Sequence, residues 1–377
     1  MTTTVLAAGA RTPIGRFQGA LAGVDPVALG AHAVSATLAR AGGLEPDYVA
    51  MGNVLQAANG QNPGRRAALQ GGVERSVPGI TLNDVCLASM SAVALAAGML
   101  REEEASCVLV GGFDSMTRAP HAVRMRPAVR MGDRPLVDVM IHDGLYCSIA
   151  EAGMGGMSDA ENARLGISRE AQDEFSARSH ARALAARERL AEEIAPVGDF
   201  ALDEGVRESS YDALAALPPA YSPDGTITAG NASQVSDGGV AAVVTSDSAA
   251  RGAGISPLAE IVGRAVVAGP DSTLHLRPAE ASAKLLRRYG LDARDIALWE
   301  INEAFAGVVL ASVAELEIDA ERVNVNGGAV ALGHPLAASG LRLVLTLAYE
   351  LRRRGGGLGV ATLCGGGGQG EAILLRV

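Results

Sequence analysis

The stretch TLNDVCLASMSAVALAAGML, residues 81–100, followed by CVLVGGFD at 107–114, decides the fold. Its first part is apolar with small residues at helical spacing (Ala88, Ala92, Ala96), which predicts a helix enclosed by protein rather than a surface helix. The second part is a short β-branched run closed by glycines and reads as a buried strand. Residues 326–354 repeat the order: a glycine-rich turn holding His334, then a small-residue helix, then LGVATLCGGGG at 358–368, a strand ending in glycines. The pattern is a weak internal duplication of an α/β unit, and alternating strands and helices favour sheets layered between helices. Two such halves meeting face to face would share a site between them.

Working outward, TTTVLAAGARTPIGRF at the start predicts a short buried strand and a turn at Pro13 and Gly15, and Pro26 to Ala41 predicts a helix. The composition then changes. Five arginines (118, 124, 126, 130, 134) face one acid, Asp133, and charges alternate at helical spacing from Ser168 to Glu193. This reads as an exposed insertion, ending just before the buried-strand run GGVAAVVTSD at 238–247.

The chain has 377 residues, 48% apolar and 20% charged, which excludes general disorder and allows two or three domains. Glycine is unusually frequent, at 47 residues, while aromatic residues reach only 3%, so the core must be built from small side chains packed closely. A net charge of −10 gives no global attraction to nucleic acid or to an anionic membrane. The single lysine, Lys284, reads as part of a solvated helix face rather than a Schiff-base group. The six histidines never pair at helical ligand spacing and there is no Cys-x-x-Cys, so no metal site is expected. Without a secretory signal in the sequence, the four distant cysteines are expected to be reduced thiols of a cytoplasmic protein. Val323 to Leu341 carries too many polar groups to cross a bilayer, and Val85 to Leu100 is too short.

Cys86 and Cys364 stand at structural transitions. Cys86 precedes the buried helix, whose unpaired N–H groups and dipole would lower a thiol pKa; the alternative is a small buried hydrophobe, the reading adopted for Cys107. Cys364 precedes four glycines whose bare backbone could donate N–H groups to a ligand; the alternative is an ordinary loop. His334 sits in a turn set by Gly333 and Pro335, facing a cavity or simply structural. Asn302-Glu303 lies at a strand-to-helix corner, where α/β proteins place ligand groups, though Asn302 could merely cap the helix. Gly365, Gly367 and Gly370 match Gly-x-Gly-x-x-Gly by accident, with only seven residues following, and the sequon at Asn231 has no secretory context.

These residues bring a family into view. NDVC at 83–86, GGFDSM at 111–116, TAGNAS at 228–233, NEAFA at 302–306, NVNGGAVALGHP at 324–335 and CGGGGQG at 364–370 occur in the order of the thiolases. RTPIG at 11–15, GQNPGR at 60–65, and MGDRPLVD with IHDGL within 131–145 are similar too, so the resemblance spans the chain. It implies an α/β thiolase fold: two similar halves in five layers (αβαβα), each with a mixed five-stranded sheet. The N-terminal domain would be 1–116 with 237–257, the inserted loop domain 117–236, and the C-terminal domain 258–377.

The resemblance also implies coenzyme A chemistry without a cofactor: reversible Claisen condensation of two acyl-CoA molecules, or thiolysis in reverse. Cys86 takes the place of the nucleophile. His334 corresponds to the histidine that activates it, Asn302 to the side chain that fixes a water beside that histidine, and Cys364 to the base acting on the α-proton. The N–H groups of Cys86 and Gly366 would form an oxyanion hole. Ser233 matches a pantetheine contact, Leu145, Arg207 and Tyr221 resemble adenine-end contacts, and Met154, Ala304 and Phe305 complete the implied CoA-binding set; Arg207 aligns only through a one-residue gap.

Departures concern the acyl pocket. Leu87-Ala88-Ser89 replace Gly-Ser-Gly after the nucleophile, which predicts added bulk beside the acyl site; Gly153 replaces a histidine; LHLRP at 274–278 stands where a Met-Gly-x-Gly-Pro loop would be. DEGVR, VVAGPDSTL and GGGGQG look most like one branch of the acetyl-CoA acetyltransferases. The alternatives are a 3-ketoacyl-CoA thiolase of fatty-acid degradation acting on longer chains, and a catalytically silent CoA-binding scaffold; a ketoacyl synthase would need a second suitable histidine. The arginine cluster reads either as solvated surface or as part of the loop that docks two dimers into a homotetramer.

Overall fold

The computed structural model describes residues 3–126 and 131–377, so Arg130 of the arginine cluster lies outside the described residues. Nine main strands are β1 (Thr4–Arg11), β2 (Tyr48–Gly52), β3 (Gly79–Leu82), β4 (Cys107–Ser115), β5 (Ser236–Ser246), β6 (Ala259–Ala268), β7 (Leu298–Ile301), β8 (Leu358–Gly365) and β9 (Gln369–Arg376). The principal helices are α1 (Pro26–Arg40), α2 (Ala88–Arg101), α3 (Met154–Leu165), α4 (Arg169–Ala185), α5 (Arg277–Tyr289), α6 (Ala306–Leu316) and α7 (Leu336–Arg353).

The duplication is real in three dimensions. From the centre outward the first half runs β1-β5-β4-β2-β3 and the second runs β6-β9-β8-β7, each with two antiparallel pairs followed by parallel pairing. The second half has four strands where five were expected, because its outermost strand is reduced to one parallel bridge between Val323 and Trp299. The halves are stitched into a single sheet through β1 and β6, at Val5–Glu260 and Leu6–Ala259.

The helices explain the glycine and alanine excess. α2 and α7, the equivalent small-residue helices, pack on each other between the two half-sheets, while α1 covers the outer face of the first half and α5 that of the second. A Cβ at Gly340 in α7 would stand 2.7 Å from the backbone nitrogen of Met90 in α2, so only glycine permits this approach. Ser89 Oγ accepts the N–H of Leu341 at 2.9 Å across the same contact. The surrounding core (Leu6, Val93, Val110, Leu341, Val344, Leu363) is essentially water-free, and truncating one such leucine to alanine costs about 2–5 kcal/mol.

Between β4 and β5 the chain leaves the sheet and forms the insertion, with α3 and α4 as its main helices. Arg11, the first residue of RTPIG, fastens it: its guanidinium donates to Glu193 at 2.6 Å and to both carboxylate oxygens of Asp203 at 2.7 and 2.9 Å, all buried. No helix among the described residues is long and apolar enough to cross a membrane.

Candidate active site

Cys86 and His334 reach the same place by the same construction, each on the turn that leads into a central helix, α2 and α7 respectively. Cys364 comes from the end of β8 and Asn302 from the residue after β7. A cavity of about 60 Å³ is lined by Cys86, Leu145, Met154, Ser233, Ala304, Phe305, His334, Cys364 and Gly366, together with Val85, Gly144, Leu274, Leu336 and Gly365. It shares Leu145, Met154, Ser233, Phe305, His334 and Leu336 with a larger outer cavity of about 210 Å³, where Tyr221 and Gly153 are added. A narrow reactive end thus opens into a wider approach.

The insertion is held against this site by backbone pairing. Ser233 N donates to Ala304 O at 3.1 Å and Ala306 N to Asn231 O at 2.9 Å, so TAGNAS and NEAFA lie side by side. Asn231 is fully buried, accepting from Thr228 N and donating to Asp173 Oδ1 and Thr226 O, which makes it an internal staple. Asn302 does not cap α6, which begins after Phe305 without a side-chain cap.

Asn302 Nδ2 lies 3.4 Å from His334 Nε2, and His334 Nδ1 lies 2.5 Å from Ser339 Oγ, which in turn donates to Pro335 O at 2.9 Å. With Asn302 donating, Nε2 must accept and Nδ1 must carry the proton. Nε2 is therefore the unprotonated nitrogen, its lone pair accepting the Asn302 N–H. Burial, reinforced by the charge of Arg342, pushes the imidazole down to about 3, so it is neutral at physiological pH.

The cysteines differ from the sequence expectation. Burial, followed by the negative charge of Asp114, pushes the Cys86 thiol up to about 12, against the opposing pull of the Cys86 and Gly366 N–H groups. Position before a helix is outweighed by desolvation. Cys364 is pushed up as well, by burial and then by its proximity to Cys86. At rest both are thiols.

Asp114, part of GGFDSM, was not singled out from the sequence. It is fully buried, accepts from Val54 N, Leu55 N, Asn53 Nδ2 and Ala337 N, and so ties β4 to the start of α7 beneath the site. Ser339 was missed too, although its place five residues after His334 puts it in the first turn of α7.

Two expectations about the pocket change. Leu87 lines neither cavity: it is fully buried in the central core, and a Cβ at Gly365 would meet it at 2.6 Å. The added bulk therefore packs behind the wall of the site. Arg207 is likewise absent from both linings and donates to Gly205 O at 3.2 Å, whereas Ser233, Leu145, Tyr221, Met154, Ala304 and Phe305 all line one or both cavities. Among the described residues, no three His, Cys, Asp or Glu side chains are grouped to hold a metal ion.

Comparison with known proteins decides the family. The model of the thiolase N-terminal domain matches residues 4–248 and that of the thiolase C-terminal domain matches residues 255–377. This chain belongs to the thiolase family. It is 46% identical to a probable acetyl-CoA acetyltransferase of Mycobacterium tuberculosis, over 100% of both chains. It is 42% identical to the acetyl-CoA acetyltransferases of Cupriavidus necator, over 100% of both chains, and of Escherichia coli, over 100% of this chain and 99% of the other. The thiolase fold therefore stands.

Proposed function

We propose that this thiolase is an acetyl-CoA C-acetyltransferase, condensing two acetyl-CoA into acetoacetyl-CoA and CoA, or cleaving acetoacetyl-CoA in reverse. The observation that carries this reading is the meeting of Cys86, Cys364 and a neutral His334 on one narrow cavity. The small volume at the sulfur favours an acetyl group, and the names of the full-length relatives support the same substrate.

In this reading His334 Nε2 takes the Cys86 proton as the sulfur attacks the thioester carbonyl, whose oxygen is held by the N–H groups of Cys86 and Gly366. The C–S bond to CoA breaks, and the leaving sulfur takes the proton back from His334. The Cys364 proton then passes to His334, and the Cys364 thiolate removes the α-proton of the second acetyl-CoA. Imidazolium and a water held by Asn302 stabilise the enolate oxygen. The enolate carbon attacks the acyl-cysteine, the bond to Cys86 breaks, and Cys86 recovers its proton from His334. No cofactor takes part.

CoA would enter through the outer cavity past Ser233, Met154, Phe305 and Tyr221. The domain division at 1–116 with 237–257, 117–236 and 258–377, a homotetramer built through the loop around Arg124 and Arg126, a cytoplasmic location and a role in fatty-acid metabolism belong to the same proposal. Intact-protein mass spectrometry after incubation with acetyl-CoA tests it: an acetyl adduct that vanishes in Cys86→Ala is expected. No adduct on the native chain would overturn it in favour of a CoA-binding scaffold.

A further inference from the structure

Behind the two cysteines lies a group that the mechanism does not use. Ser91 Oγ, one turn into α2, is 2.8 Å from Asp84 Oδ2 and 2.9 Å from Glu371 Oε2. A hydroxyl has a single proton to donate, so two oxygen–oxygen contacts of this length to two carboxyl groups require that one carboxyl carry a proton. Asp84 Oδ1 accepts from Gln369 Nε2 at 3.1 Å, and Asp84 is partly open to water, which suits the charged form. Glu371 is fully buried and its Oε1 has no hydrogen-bond partner, which suits the neutral form. The direction of the chain follows: Glu371 donates to Ser91, and Ser91 donates to Asp84.

The location gives this chain a purpose. Asp84 stands two residues before Cys86, accepts the N–H of Leu87 on its backbone carbonyl at 3.0 Å, and belongs to a turn in which Val85 has φ +48°, a strained conformation for a β-branched residue. Such a turn persists only where its surroundings enforce it. Glu371 sits on β9 opposite Leu363, with its neighbour Gly370 opposite Cys364, and Gln369 opposite Gly365. We propose that protonated Glu371, Ser91 and Asp84 form a latch that holds the Cys86 turn of the first half against the Cys364 strand of the second, making Glu371 and Ser91 positioning residues for both thiols. Their role in turnover rests on the function proposed above; the latch itself does not.

The charged groups facing Glu371 are Asp84, from the turn before α2, and Arg264, from the adjoining strand β6, 3.6 Å from Oε1 but half exposed. Burial, then the charge of Asp84, lifts Glu371 from 4.5 to about 7, against the charge of Arg264. Across that interval the unfolded chain ionises while the folded chain keeps its proton, so wild-type stability falls as pH rises.

Melting temperatures of wild type and Glu371→Gln, taken from pH 4 to 9, test the latch. The advantage of Glu371→Gln over wild type should widen between pH 4.5 and 7 and then level off; a constant difference overturns the latch whether or not the protein is an enzyme. The kcat ratio of wild type to Glu371→Gln for acetoacetyl-CoA thiolysis should fall about tenfold across the Glu371 titration, within what a small misplacement of reacting groups costs, and a flat ratio overturns the positioning role. Should Glu371→Gln fail to fold, Ser91→Ala should lower kcat about tenfold below the Glu371 titration and Ser91→Thr, which keeps the hydroxyl, should restore it; equal rates in all three there would overturn it.

Discussion

Asn302 Nδ2 and His334 Nε2, 32 residues apart in sequence, lie 3.4 Å apart, and His334 lines a cavity together with both candidate cysteines. Their contact fixes which imidazole nitrogen is unprotonated. Asn302→Ala should therefore lower kcat for thiolysis by about 10²–10³-fold, the usual cost of removing one preorganised donor. The KM should change much less, and a kcat within twofold of wild type would refute the role.

Ser339 holds the other side of the same ring. Ser339→Ala leaves Nδ1 without its acceptor and lets the tautomer change, so kcat should fall about 10²-fold. ¹⁵N chemical shifts of the imidazole would report the change directly: wild type should show Nδ1 protonated, and the variant a mixture.

Neutral resting groups set a pH dependence. With the Cys86 thiol near 12 and His334 near 3, no imidazolium stabilises a thiolate at neutral pH. The thiolate fraction grows as pH rises, so the rate of Cys86 alkylation by iodoacetamide in the free protein should climb about tenfold per pH unit from 7 to 10. A plateau beginning at pH 5–7 would instead indicate a thiolate–imidazolium pair.

Gly153 borders the outer cavity, and a Cβ built there has no neighbour within 4 Å. Gly153→His should fold with a melting temperature near that of wild type and narrow the approach. The ratio of kcat/KM for acetoacetyl-CoA over longer 3-ketoacyl-CoA should then rise, by about tenfold for one added steric restriction of a methylene or more.

Arg11 is a structural anchor whose loss leaves two buried carboxylates unpaired. Its side chain is 2% exposed and its partners Glu193 and Asp203 are equally enclosed. Arg11→Met should cost about 3–5 kcal/mol, read as a lowered urea midpoint. Because the partners lie in the insertion, proteolysis between residues 190 and 205 should accelerate as well.

Much of the fold was legible because it is written in short-range pattern. β-branched runs and small residues at helical spacing marked β4, α2, α7 and β8, and the repeated order of those elements exposed the duplication before any contact was known. The missing fifth strand was not legible, since Val323 carries the same side-chain preference whether it forms one bridge or five. The candidate reactive residues were marked by ordered motifs, and six of the seven anticipated CoA contacts line a cavity. Arg207, aligned across a gap, does not.

What the sequence determined by itself was therefore the set of elements, their order, and the chemical types placed at each turn, because these depend on neighbours a few residues away. Only the tertiary structure decided the state and direction of those groups. The Cys86 thiol lies high because the enclosing core and Asp114 arrive from other elements, Leu87 turns into the core because Gly365 leaves room there, and Glu371 keeps a proton because it is buried and the charge of Asp84 meets it from the opposite half. Desolvation and Coulomb interaction act through space, and the distances that govern them exist only once the two halves have closed on each other.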